Sequence, residues 1–242
     1  MQGIYSSNKN FSNDMFFDLH VHGNETMITE AERLGYAGVG LTSYFEDYNT
    51  EFFKEFDILE ESSNIILKKC IEISSKNPED LRKKVQKSRR NADILMVLGG
   101  DLKINRAACE DQRVDILSQP YRSRRDTGIN HILARKAAEN SVTIEINLKT
   151  LFKTNLRYRY RVISQFRHII ELQRKFKFPL IITSNANSKY DLRSPQEISA
   201  LARCFQMTIE ESFDAISKTP LEIIKSCNAR DSFIVDGVRT VE

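Results

Sequence analysis

The chain has 242 residues, 40% apolar and 29% charged, a composition that fits one large soluble domain. No apolar run approaches the roughly 20 residues that span a bilayer, and the opening MQGIYSSNKN lacks a signal-peptide pattern, so a cytoplasmic protein without membrane contact is expected. A formal net charge of +3 hides an uneven distribution: residues 1–80 carry 6 Lys/Arg against 15 Asp/Glu, residues 81–120 carry 9 against 5, residues 121–177 carry 14 against 4, and residues 178–242 carry 7 against 9. So basic a central segment is a candidate phosphate-binding surface, and solvated helix faces are the plainer alternative.

Runs rich in Val, Ile and Leu predict strands at 16–22, 38–43, 64–73, 93–98, 115–118, 142–147 and 179–184. Amphipathic charged stretches predict helices at 28–35, 49–62, 78–90, 103–112, 127–140 and 156–177. The strands do not alternate cleanly, as expected when both faces are buried. Seven strand–helix units predict an α/β fold, a distorted TIM-like barrel of seven strands with extra C-terminal helices. Ser194-Pro195-Gln196-Glu197, Thr208-Ile209-Glu210-Glu211 and Thr219-Pro220-Leu221-Glu222 place Ser or Thr three residues before Glu, the pattern that starts a helix. No low-complexity linker divides the chain, so one domain over 1–242 is expected, with 1–14 an extension and 232–242 a short strand or tail. Cys70, Cys109, Cys204 and Cys227 lie far apart, which reads as core thiols in a reducing compartment.

In such a barrel the functional groups gather at the C-terminal strand ends. Those ends read His20-Val21-His22, Thr42-Ser43-Tyr44, Gly100-Asp101, Ser118-Gln119-Pro120, Glu145-Ile146-Asn147 and Ser184-Asn185-Ala186-Asn187. His20 and His22 alternate on one strand and point the same way, so they could grip a metal ion; satisfied core or rim histidines are the alternative. The series resembles the polymerase-and-histidinol-phosphatase (PHP) family of metal-dependent phosphoesterases. The resemblance implies a PHP-like barrel with His-x-His on the first strand, Thr-Asp-His on the second and Asp-x-His near the last. Here Ser43-Tyr44 stands for Asp-His, Gln119 for a His, and Asn185-Ala186-Asn187 for Asp-Ala-His. Neutral amides cannot supply the charge that several close cations require. His20, His22, Asp18, Asp101 and Glu145 are the remaining candidates, so no bound metal or cofactor is expected and His20 and His22 are weak relic ligands.

A narrower resemblance rests on Phe17-Asp18-Leu19-His20-Val21-His22, Asp115-Ile116-Leu117-Ser118 and Arg125-Asp126-Thr127-Gly128-Ile129-Asn130-His131. It continues through Ile144-Glu145-Ile146-Asn147, Ile182-Thr183-Ser184-Asn185-Ala186 and Asp191-Leu192-Arg193-Ser194-Pro195. From about residue 15 to about 225, the chain resembles the thirty-kilodalton subunit family of ribonuclease P, protein component 3 in archaea. The resemblance implies a barrel that is not itself the catalyst. It implies ribonuclease P RNA as partner, precursor tRNA as an indirect one, protein component 2 in a heterotetramer, and other ribonuclease P proteins in the holoenzyme. The RNA subunit would use magnesium to remove the 5′ leader of precursor tRNA.

Three basic clusters are candidate contacts. Arg122, Arg124 and Arg125 follow the fifth strand, where an internal Arg125-Asp126 ion pair fixing the loop is the alternative to phosphate contact. Arg157, Arg159 and Arg161 open the helix after the sixth strand, with Arg167 farther on. Tyr158 and Tyr160, interleaved there, are candidates for stacking on bases and slightly better ones for packing on the barrel. Arg193 follows the seventh strand and either meets phosphate or pairs with Asp191. Arg122, Arg125 and Arg193 are the preferred RNA contacts. The third cluster, Leu81 to Arg90, reads as a helix with Leu81 and Val85 inward and its charges solvated. The acidic stretch 46–61 reads as a helix whose aromatic side packs and whose acidic side faces solvent. Two further readings stay open: a residual PHP-type phosphoesterase using His20, His22, Asp18 and Glu145, and a barrel that binds only proteins.

Overall fold

The computed structural model describes residues 15–231, 233–235 and 238–239; the expected extension 1–14 lies outside the described residues. All seven expected strands form: β1 (Phe17–Val21), β2 (Gly38–Tyr44), β3 (Ile66–Ile73), β4 (Ile94–Leu98), β5 (Ile116–Ser118), β6 (Thr143–Asn147) and β7 (Leu180–Thr183). Each pairs in parallel with the next, in the order of the chain. The barrel nearly closes: a single bridge joins Val21 to Ala186, and the His22 amide donates to the Ala186 carbonyl at 2.8 Å.

Around the sheet run α1 (Glu25–Arg33), α2 (Thr50–Ser62), α3 (Pro78–Ser88), α4 (Leu102–Cys109), α5 (His131–Glu139), α6 (Leu148–Lys153) and α7 (Arg159–Phe176). Then come α8 (Pro195–Ala202), α9 (Ile209–Ile216) and α10 (Lys218–Asp231), and a small antiparallel pair, β8 (Phe233–Val235) with β9 (Val238–Arg239). Asparagine side chains cap the starts of α1, α2, α3 and α5. Ser194 and Thr208 form the expected capping boxes on α8 and α9. Thr219 does not start α10. It is the second residue of that helix, whose Leu221 amide donates to the Ser217 carbonyl at 3.1 Å. The helix expected from 127 begins four residues later, because Asn130 accepts from the amides of Ile132 and Leu133 and fixes the start.

Although the sequence shows no clean alternation, the strands divide their residues by face. Val39, Leu41, Leu67, Ile71, Leu95, Val97, Leu117, Ile144, Ile146, Leu180 and Ile182 meet the helices. Phe17, Leu19, Cys70, Ile94, Met96, Ile116 and Ile181 fill the lumen, where Ile224 and Cys227 of α10 join them. α10 therefore plugs the mouth at the N-terminal strand ends. Asp115 ties it down, accepting from Arg230 Nη1 and Arg89 Nη1, both at 2.6 Å. Gly40 leaves room in the lumen: a Cβ there would meet the Leu19 carbonyl oxygen at 2.5 Å and Cys70 Sγ at 2.6 Å.

Candidate nucleic-acid interface

The polar end of the lumen starts at an irregularity in β1. The pairing of β1 with β2 shifts between Asp18 and Val21, one residue more on β1 than on its neighbour. Leu19 thus faces the lumen below while His20 faces it above, a re-aiming that bulges produce. His20 Nδ1 lies 2.6 Å from Glu145 Oε1 on β6, with both side chains fully buried. Glu145 also accepts from Ser118 Oγ at 2.6 Å, from Asn147 Nδ2 at 3.2 Å and from the Thr183 hydroxyl. On its other side, His20 Nε2 lies 3.9 Å from Glu72 Oε1 of β3. Asp18 is not part of this cluster. Its carboxylate accepts from the Ser184 amide at 3.0 Å and the His20 amide at 3.2 Å, and so ties β1 to the end of β7.

Burial opposes the charge of His20, but Glu145, then Glu72 and Asp18, overcome it and raise the imidazole to about 9. Burial equally opposes the charge of Glu145, whose carboxyl is nonetheless held at about 2 by His20 and the Ser118 and Thr183 hydroxyls. Burial lifts Asp18 to about 6 and raises Glu72. Burial, together with the charges of His20 and Lys149, lowers His22 to about 4. An imidazolium between two carboxylates is thus the internal cation at this level.

The PHP resemblance implies a metal centre here, and the donor set does not fit one. Glu145 is saturated with donors, and although His20 Nε2, His22 Nε2 and Glu72 Oε1 are buried without hydrogen-bond partners among the described residues, they do not converge on one point. Asp101 caps α4 by accepting from the amides of Lys103 and Ile104, away from the lumen. Tyr44, in place of a ligand, stacks on the His22 ring with centroids 4.8 Å apart. Among the described residues, no three His, Cys, Asp or Glu converge to share an ion. Glu72 escaped the sequence reading although its position, two residues after Cys70 on the lumen face, matches that of Glu145.

Above this layer lie the loops that carry the basic candidates. The loop after β5 is firmly held. Asn105 of α4 is fully buried, donates to the carbonyls of Pro120 and Gly128 at 2.9 and 2.8 Å, and accepts from the Gly100 amide. Gly128 is required there, since φ is +66° and a Cβ would overlap the Pro120 carbonyl. Gln165 of α7 donates to the Arg124 and Asp126 carbonyls. The ion pair that was the alternative role of Arg125 belongs to Arg124, which grips both Asp126 oxygens at 2.6 and 2.8 Å. Arg124 is therefore a clamp, while Arg122 and Arg125 project exposed from a rigid loop with no ion pair among the described residues.

The second cluster divides similarly. Arg157 is exposed, whereas Arg159 spans the Thr154 and Phe152 carbonyls and fastens the end of α6. The Arg161 guanidinium sits 5.0 and 5.6 Å from the rings of Tyr158 and Tyr160. Against the packing reading, those tyrosines are 48% and 62% exposed. Arg167 does not join the rim. It lies two turns down α7, about 12 Å along the axis from Arg159, and donates to the Cys204 carbonyl at 2.9 Å. Arg193 makes no pair with Asp191. It donates to the Tyr190 and Leu192 carbonyls at 2.7 and 2.6 Å and lies over Phe152 of α6. In the third cluster Leu81 and Val85 are buried as expected, and Arg89 is the exception, turned inward to Asp115. The acidic segment is partly neutralised from within, by Lys84 on Glu46 and Lys69 on Asp57.

Residues 15–232 match the family model of the RNase P subunit p30. The chain belongs to that family. It is 43% identical over 232 residues to the ribonuclease P protein component 3 of Methanothermobacter thermautotrophicus, covering 93% of this chain and 94% of that one. The component 3 of Methanocaldococcus jannaschii is 34% identical over 224 residues, with 93% and 94% covered. Among solved structures, a chain from the cryo-EM structure of archaeal ribonuclease P with mature tRNA superposes with a TM-score of 0.82 at 30% identity, covering 93% of this chain and 98% of that one. A zinc-containing histidinol phosphate phosphatase from Lactococcus lactis shares the fold alone, at a TM-score of 0.52 and 11% identity, with 88% and 93% covered. Both the family expectation and the PHP-like barrel expected of this p30 chain are thereby borne out.

Proposed function

We propose that this p30 subunit is non-catalytic and binds and stabilises the catalytic RNA of ribonuclease P through the basic rim at the C-terminal strand ends. The observation that carries the reading is the rigid loop after β5: Asn105, Gln165 and the Arg124–Asp126 clamp hold it, and Arg122 and Arg125 stand exposed on it without an ion pair among the described residues. A loop backbone that is already ordered presents these guanidinium groups to phosphates without the cost of ordering the loop on binding. Arg157 and Arg161 extend the same rim, with Tyr158 and Tyr160 offering exposed ring faces to unpaired bases. On this reading the RNA uses magnesium to cleave the 5′ leader of precursor tRNA, which the chain meets only indirectly. Its protein partners are component 2, in a heterotetramer, and the other subunits of a cytoplasmic holoenzyme. The test is a titration of ribonuclease P RNA with the full chain over a salt series. Arg122→Gln/Arg125→Gln lowers the slope of log affinity against log salt by about 2. An unchanged slope contradicts the reading.

A further inference from the structure

Exposed apolar side chains are not spread evenly over this molecule. Of the twelve large ones among the described residues, Phe152, Leu156, Tyr158, Tyr160 and Tyr190 gather on one strip of the C-terminal rim. A run of contacts makes the strip continuous. The Arg193 guanidinium donates to the Tyr190 carbonyl at 2.7 Å and lies 5.2 Å from the centre of the Phe152 ring. Arg159, between Tyr158 and Tyr160 in the chain, donates to the Phe152 carbonyl at 3.1 Å. Both ends are braced. Asp191 accepts from the amides of Asn187 and Ser188, and the Tyr36 hydroxyl donates to the Arg193 carbonyl at 2.7 Å, so Tyr190 stands on a held loop. Asn155 accepts from the Arg157 amide and starts the 3₁₀ turn Leu156–Tyr158. The side chains are left in water all the same: Tyr190 is 77% exposed and Leu156 76%.

Each ring has a cation beside it. Lys189 lies 5.3 Å from the centre of the Tyr190 ring, Arg193 serves Phe152, and Arg161 serves Tyr158 and Tyr160. Residues 146–170 carry six Lys/Arg and no Asp or Glu. The carboxylates whose field reaches Lys153, Arg193 and Lys189 are Asp191, Glu197 and Glu30, and each has closer partners: amides after β7, the capping box of α8, and Arg33. Exposed rings among cations suit a polyanion with flat apolar faces, and a single nucleic-acid strand is such a polymer. A duplex keeps its bases stacked inside and offers the rings nothing. We infer that this strip is a track for an unpaired RNA strand of about four nucleotides, its bases on Tyr190, Phe152, Tyr158 and Tyr160 and its phosphates along the basic residues. The inference rests on the RNA-binding reading above and deepens it. The arginines after β5 meet phosphates of paired and unpaired RNA alike, whereas this strip selects unpaired strands and does not read their sequence.

The experiment measures binding of the full chain to an oligouridine of about 12 nucleotides, and to a fully paired RNA duplex of that length, over a salt series. Tyr190→Ala and Tyr160→Ala each weaken oligouridine binding about 5-fold or more at every salt concentration. Their salt slope, melting temperature and duplex affinity stay at the wild-type values. Tyr190→Phe, which keeps the ring, binds as wild type does. Arg122→Gln/Arg125→Gln instead lowers the salt slope for both RNAs. The track is overturned if wild type does not bind oligouridine, if both tyrosine variants keep wild-type affinity, or if strand and duplex lose equally. An arginine variant that still loses slope then leaves the RNA-binding reading standing, and unchanged binding in every variant contradicts both. Tyrosine variants that bind oligouridine normally but fail to assemble with protein component 2 make the strip a protein surface and overturn the track as well.

Discussion

The two mouths of the barrel are closed by opposite means. At the N-terminal strand ends, α10 inserts Ile224 and Cys227 into an apolar lumen, and two arginines share Asp115 beneath it. At the C-terminal ends the lumen closes on a buried imidazolium among carboxylates, and the rim above carries arginines and lysines with few acidic partners. The same residue type serves different ends in the two places. Arg89, Arg230 and Arg124 have found carboxylates and hold the fold, whereas Arg122, Arg125 and Arg157 have none among the described residues. Partner count, more than arginine density, separates structure from candidate function in this chain.

The largest expected effect comes from His20→Ala, which leaves Glu145 buried without its cation. A loss of about 3–5 kcal/mol is expected in denaturant unfolding, and a loss under 1 kcal/mol would show that the ion pair does not close this mouth. Ile224→Ala at the other mouth costs about 2–4 kcal/mol, and the folded variant binds RNA as wild type does. If RNA affinity falls with it, the two mouths are not separate in function. A pH series sharpens the comparison further. The native pKa of His20, about 9, lies above its ordinary 6.5, so its contribution is complete below pH 6.5 and disappears as pH rises through 9. Glu145, depressed to about 2, contributes above pH 4.5 and loses that contribution as pH falls through 2. Between pH 6.5 and 9 the unfolding free energy should therefore fall, by at most about 3 kcal/mol, and a flat profile would place the proton elsewhere. The smallest effect on stability, within about 0.5 kcal/mol, is expected for Arg122→Gln/Arg125→Gln, whose signature is RNA affinity.

Strand count, strand order and the polar strand ends were legible because buried parallel strands and capping residues leave local signals. α6 was missed, since its six residues directly continue β6 and carry no capping side chain. With it went Lys149 and Lys153, isolated lysines in sequence that one helical turn brings together. Glu72 was hidden in a strand with two lysines just before it, and only the lumen parity shared with Cys70 exposes it. Which arginine of Arg124-Arg125 would take Asp126 could not be read, because Ser123 adopts a positive φ of 59° and alters the direction of the loop. Arg167 was grouped with the rim by proximity in sequence, and helix pitch carries it away.

Precursor-tRNA cleavage by ribonuclease P RNA with protein component 2 tests the central claim most directly, run at moderate magnesium with and without this chain. The comparison sets Arg122→Gln/Arg125→Gln/Arg193→Gln against His22→Ala, with folding verified for both. The account predicts that wild type and His22→Ala stimulate cleavage equally, while the arginine variant loses most of the stimulation. Full stimulation by the arginine variant, with loss in His22→Ala or cleavage by the chain alone, would contradict it.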